Sequence, residues 1–313
     1  MSKYLAITGG VGGAKLALGL SHILGPSDLG FLVNTGDDFE HLGLHVSPDI
    51  DTLMYTLSGL SNPQTGWGRV GESWNFIESL GELGGETWFK LGDRDLAVHV
   101  WRTVLLAGGE RLTDVTATLF RALGVEYRTW PMSDDPVRTL IDTDAGQLSF
   151  QHYFVRERCE PAVRGFEYRG ADTASTIPEF IAWMSDPDLA GVIICPSNPF
   201  LSIDPILALD GIREALMACT APVIAVSPIV GGEAIKGPTA KIMEELDVPR
   251  DARAVAMHYR DLLDGFILDE TDRRLVEPIG ALGLQVAPAQ SLMRTLDDKI
   301  NLAHTALKLI EAC

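Results

Sequence analysis

The sequence predicts an α/β fold: a mostly parallel sheet with helices on both faces, a helical insertion and a small antiparallel insertion. Three observations carry that expectation. Short continuous apolar runs at Lys3–Thr8, Leu29–Val33, 191–195 and 222–226 are separated by segments with helical periodicity. Each run ends in a glycine-rich or polar motif, at 9–15, 34–38, 196–199 and 227–232. Between the second and third runs lies a long stretch that is first helical and then alternating in pattern. Together these describe one Rossmann-like domain over 1–313, with a helical insertion at about 52–123 and a mixed, antiparallel one at about 125–185.

In order, the first strand runs into Gly9-Gly10-Val11-Gly12-Gly13-Ala14-Lys15, and residues 16–24 follow with a helical pattern. The second strand ends at Asn34-Thr35-Gly36-Asp37-Asp38. Ser47-Pro48-Asp49-Ile50-Asp51-Thr52 then leads into a short helix over 52–60. Helices at 73–80, from Asp93 (as a cap) to about 106, and at 112–123 complete the helical insertion. Residues 125–131, 137–142 and 148–157 read as strands, with Asp144-Ala145-Gly146 as a hairpin turn. A helix over 177–184 closes this part. The parallel pattern resumes with a strand at 191–195, a helix over 204–218, a strand at 222–226 and a helix over 239–246. Short strands at 266–268 and 285–287 precede a long amphipathic helix over 292–310.

Composition narrows the function. With 43 acidic against 25 basic residues the net charge is −18, which argues against nucleic acid or an anionic membrane as a partner. Cys159, Cys195, Cys219 and Cys313 form no CxxC pair and no zinc spacing with histidine. A strand begins almost at once, so no signal peptide is expected, and no apolar run reaches spanning length. The expectation is a soluble cytoplasmic protein.

A strand, a glycine turn and a helix N-terminus make an anion-binding corner, because backbone N–H groups point outward and the helix dipole favours negative charge. Gly9, Gly10, Gly12, Gly13 and Lys15 are the candidate diphosphate site. Ser197, Asn198, Ser227 and Lys236 join it from later strand ends, since ligands of such sheets bind beyond the carboxyl ends of the strands. The turn fits neither G-x-G-x-x-G nor the P-loop, which disfavours nicotinamide binding and Walker-type hydrolysis. A plain tight turn is the structural alternative. Asp37, Asp38, Asp49 and Asp51 form an acidic group suited to Mg²⁺ shared with phosphate oxygens, although Asp49 and Asp51 are also placed to start a helix. His41 and His45 lie near that loop without a catalytic assignment, and no nucleophile motif is visible.

At this point the motifs GGVGGAKLALGL (9–20), NTGDD (34–38), SPDIDT (47–52), KLGDRDLA (90–97), PMSDDPVRT (131–139), CPSNPFLSIDPIL (195–207) and AVSPIVGGEAIKGPTAKIM (225–243) closely resemble the 2-phospho-L-lactate transferase family of coenzyme F420 biosynthesis. The resemblance implies a Mg²⁺-dependent transferase. A phospholactyl, phosphoenolpyruvyl or phosphoglyceryl group would pass from a guanosine diphosphate ester, such as lactyl-2-diphospho-5′-guanosine, to the ribityl hydroxyl of the deazaflavin Fo. F420-0 or its dehydro form and GMP would result. By matching motif, Asp51 and Lys90 correspond to Fo-binding positions, with Asp51 and Asp49 as the catalytic pair and a homodimer as the assembly. A non-catalytic UDP-sugar-binding regulator of the same fold is the rival reading; SPDIDT and KLGDRD are not expected there.

Overall fold

The computed structural model describes residues 2–63, 67–235 and 237–313. Its centre is a seven-stranded parallel sheet, numbered here in chain order: β1 (Lys3–Thr8), β2 (Leu29–Val33), β3 (Arg128–Pro131), β4 (Leu189–Ile194), β5 (Val223–Val226), β6 (Gly265–Asp269) and β7 (Gln285–Ala289). The spatial order is β7-β6-β5-β4-β1-β2-β3. The chain therefore reverses direction across the sheet between β1 and β4, where a crevice opens beyond the strand ends. The strands carry apolar residues on both faces because both faces are covered. Leu5, Ile7, Leu32, Val192 and Ile194 pack into one core, while Ala6, Phe31, Val33 and Ile193 point into the other.

Helix α1 (Gly10–Ser21) starts within the glycine turn itself, six residues before the apolar run predicted. α2 (Pro48–Leu57) likewise starts early, with Pro48 in its first turn and both Asp49 and Asp51 inside that turn. The segment after it carries α3 (Asn75–Glu82), α4 (Asp93–Ala107) and α5 (Leu112–Ala122). Asp93 does not cap α4. It accepts from Ser73 Oγ (2.6 Å) and the Phe76 amide (3.0 Å), so it caps α3, while Glu72 accepts the Arg94 amide (2.7 Å) and caps α4. The C-terminal helix, Leu296–Ala312, opens on a Thr295/Asp298 capping box and packs on α1.

Several expected elements differ. Residues 128–131 are not part of an antiparallel unit; they form the parallel edge strand β3. The antiparallel sheet is built from Arg138–Thr143, Gly146–Ser149 and Val163–Arg169. The strand expected over 148–157 ends at Ser149, and a π-helical turn, His152–Arg156, follows. The single helix expected over 204–218 is two, Asp204–Leu207 and Ile212–Met217, parted at Gly211, whose φ is +83°. Among the described residues no helix is long and apolar enough to cross a membrane.

Candidate active site

Beyond the carboxyl ends of β1, β2 and β4 lies a cavity of about 640 Å³. Its floor is the glycine turn. Gly9 is extended and Gly10 takes φ +64°, which a side chain would resist. Gly12 passes so close to the Pro196 carbonyl that a Cβ there would collide with it. Ser197 ties the two strand ends together, donating to the Gly9 carbonyl (2.8 Å) and accepting the Gly9 amide (3.2 Å). Gly9, Gly10, Gly12, Lys15, Ser197 and Asn198 all line the cavity. Gly13 does not line it; it is packed against Thr8 and Ser197. Ser227 is also turned inward, closing a small turn on the Ile229 amide (3.1 Å) and carbonyl (2.9 Å), and its neighbour Pro228 takes the wall. Lys236 lies outside the described residues.

Of the four acids, Asp37, Asp49 and Asp51 line the cavity and Asp38 does not. Asp49 reaches across to the start of α1 and accepts the Gly10 amide at 2.7 Å, so one of the corner's N–H groups already meets an anion. Asn34 donates to both Asp49 (2.9 Å) and Asp37 (3.3 Å). Both carboxylates are buried and line the cavity. Burial pushes the Asp49 carboxyl up to about 6, against its bonds from Asn34 and Gly10. Burial, reinforced by the charges of Asp49 and Asp38, pushes Asp37 well above the usual carboxylate range. Two such groups with one amide between them are short of positive charge, and their oxygens suit a hard cation.

Asp38 is held by Ser47 Oγ (2.8 Å) and His45 Nε2 (3.0 Å) and is not on the cavity wall, although its other oxygen is buried without a partner. Asp51 is clamped by Arg102. One guanidinium nitrogen donates to Oδ2 at 3.1 Å and the other to Oδ1. Arg102 is fully buried, and sequence reasoning missed it. Burial alone would lower its guanidinium, but the Asp51 carboxylate overcomes that and raises it. Burial raises the Asp51 carboxyl even against the Arg102 charge, and the two-pronged contact with a guanidinium that keeps its proton fixes its orientation.

The same guanidinium lies 3.2 Å from His99 Nδ1, which must accept, leaving the ring proton on Nε2, 3.4 Å from Asp95. Tyr55 donates to Asp95 at 2.6 Å. Despite burial, these bonds hold the Asp95 carboxyl below its usual value. Asp51, Asp95 and His99 have ligand atoms within 4.8 Å of one another, a spacing that suits a cation, and the cation beside them is Arg102. The signal for this group was present in α4: Asp95, His99 and Arg102 follow at intervals of four and three, one helical face.

One wall is aromatic. Trp88 and Phe89 pack edge to face (5.7 Å) beside exposed Lys90, and Phe150 stacks on Phe154 (5.5 Å). A planar conjugated ring would fit such a wall.

A family model described as 2-phospho-L-lactate transferase CofD matches residues 5–281. The chain is similar to a phosphoenolpyruvate transferase of Kitasatospora aureofaciens, 39% identical over 316 residues, covering 99% of this chain and 98% of that one. It is also similar to a 2-phospho-L-lactate transferase of Methanosarcina mazei, 37% identical over 304 residues, covering 97% and 99%. Among solved structures, a member of the UPF0052 family from Bacillus halodurans superposes with a TM-score of 0.62 at 13% identity, covering 98% and 99%; that likeness is one of fold alone.

Proposed function

This chain belongs to the 2-phospho-L-lactate transferase family, and from that premise we propose the chemistry of its site. It is a transferase. The donor is a guanosine diphosphate ester of a three-carbon acid (lactate, enolpyruvate or glycerate), and the acceptor is the ribityl hydroxyl of the deazaflavin Fo. The hydroxyl oxygen bonds to the phosphorus that bears the acid, the P–O–P bridge breaks, and GMP leaves with the bridging oxygen. A phosphodiester, F420-0 or its dehydro form, results. The observation that carries this reading is the meeting, at the sheet's reversal point, of the α1 N-terminus with the raised carboxylates Asp37 and Asp49.

The residues divide the work. The free amides at the start of α1, with Lys15, take the diphosphate. The Arg102 clamp holds the Asp51 carboxylate in one orientation, so that it accepts the attacking hydroxyl's hydrogen bond and then its proton. Lys90 and the Trp88 face orient the deazaflavin ring. Such a transfer needs alignment and charge neutralisation more than a covalent nucleophile. Asp37 and Asp49 are the residues that would hold Mg²⁺; when bound, the ion neutralises phosphate charge at the centre being transferred. A homodimer and a cytoplasmic location complete the proposal.

The test supplies Fo and GTP with each of the three phospho-acids plus a guanylyltransferase, and reads product masses. A phosphodiester of Fo with at least one donor is expected; no deazaflavin product with any of them sinks the proposal.

A further inference from the structure

We infer that Arg158 recognises the carboxylate of the donor's acid, an inference that rests on the transferase reading above. Three independent features of the chain bring it to this position. The first is backbone. After the π-helical turn His152–Arg156, Arg158 (φ +51°) and Cys159 (φ +59°) are both left-handed, although neither is glycine. That conformation costs roughly 1–2 kcal/mol per residue, and it persists where the surroundings demand it. The second is placement. The segment touches three parts of the site: His152 lies 5.0 Å from Trp88 on the aromatic wall, and Gln151 donates to the Asp37 carbonyl at 3.4 Å. Phe154 lies 3.9 Å from the Cβ position of Gly237, in the loop after β5. Arg158 continues from there onto the cavity wall.

The third feature is charge. Arg158 is exposed, and among the described residues no carboxylate pairs with it, whereas its neighbour Arg156 lies 4.0 Å from Glu157. In a protein of net charge −18, an arginine kept unpaired at a cavity is available for a ligand anion. The donor carries two kinds of anion, a diphosphate and a carboxylate. Asp37 and Asp49 repel a carboxylate. The other cavity cations among the described residues are Lys15, beside the glycine turn, and Lys90, beside the aromatic wall. Each has a nearer role, with the diphosphate and the acceptor. Arg158, on the segment that touches the aromatic wall and the Asp37 loop, is left for the acid between them. A guanidinium presents two parallel N–H groups that match a carboxylate, which a lysine cannot do.

The test pairs two donors: the guanosine diphosphate ester of 2-hydroxypropanoate, and that of 2-propanol, in which a methyl replaces the carboxylate. Steady-state rates with Fo are measured for the unaltered protein, Arg158→Gln and Arg158→Gly; the glycine suits the left-handed backbone. Both variants should lose roughly 10- to 100-fold in kcat/KM with the carboxylate ester, the range of one charged hydrogen-bonded contact. With the 2-propanol ester they should stay within about 3-fold of the unaltered protein. Equal losses with both esters would move Arg158 to the diphosphate and overturn the assignment, as would unchanged rates. Loss of Fo binding in both variants, followed by the ring's fluorescence, would place Arg158 on the acceptor and overturn it too. No product from the unaltered protein with the lactate, enolpyruvate or glycerate ester would instead overturn the transferase reading beneath it.

Discussion

Asp49 shows how a single carboxyl can be both an anchor and a liability. It fastens α2 to the start of α1 through the Gly10 amide, yet burial raises its pKa to about 6 beside an equally crowded Asp37. The sign follows from linkage. A carboxyl raised on folding contributes stability that is complete below its unfolded value, near 4, and that is lost as pH rises through about 6. Without metal, the folded state at neutral pH therefore carries a charge it resists. Asp49→Asn should raise stability by roughly 1–3 kcal/mol at pH 7.5 in a chelator, with the two proteins converging towards pH 4. Mg²⁺ should raise the Tm of the unaltered protein and leave that of the variant unmoved. Equal melting temperatures at pH 7.5, or an equal response to Mg²⁺, would remove Asp49 from the cation site. The sequence showed the acids because they sit in motifs. It could not show that Asp51 is engaged, because its partner Arg102 lies on a helix fifty-one positions on and meets it only through tertiary packing.

At the scale of elements, the glycine turn behaves less as a generic phosphate loop than as a set of separate fits. Gly12 is required by the Pro196 carbonyl, and Gly10 by its φ of +64° in fairly open space. Gly10→Ala should cost about 1–2 kcal/mol, the strain of one left-handed residue. Gly12→Ala must push α1 off the β4 loop; it should cost about 1–3 kcal/mol and weaken nucleotide binding as well. Thermal unfolding with and without GDP separates the two, and a larger ligand effect for Gly10→Ala would reverse their roles. Strands of the parallel sheet were legible because they are buried on both faces and read as plain apolar runs. The hairpin Phe39–His41 with Leu44–Val46 was not, because it turns on Leu42 (φ +54°) and Gly43 (φ +74°), where an Asn-Gly pair would have announced it. Val163–Arg169 was missed because charged residues and Gly165 interrupt its apolar pattern. Residues 148–157 misled because alternation at Leu148, Phe150 and His152 holds for only a few positions, after which Tyr153 turns into the core.

For the molecule as a whole, the site depends on contacts far from it. Three of the four strand-end motifs converge because β1, β2 and β4 are neighbours; the fourth contributes Pro228 while Ser227 serves its own turn. α1 is also held at its other end. Gly19 lets the C-terminal helix approach so closely that a Cβ would collide with the Lys299 carbonyl. From Gly10 to Gly19 is about 14 Å of helix, so a tilt forced at Gly19 is felt as a displacement of the amides proposed to take the diphosphate. Gly19→Ala should therefore lower stability by about 1–3 kcal/mol and also weaken GDP binding, with every residue lining the cavity unchanged. Thr295→Ala is the control. It removes the capping box of the same C-terminal helix, costs about 1 kcal/mol, and leaves the Gly19 contact in place, so GDP affinity should hold. Calorimetric titration of both variants decides the matter: if Gly19→Ala binds GDP as the unaltered protein does, the sheet alone aims α1, and the C-terminal helix only adds stability.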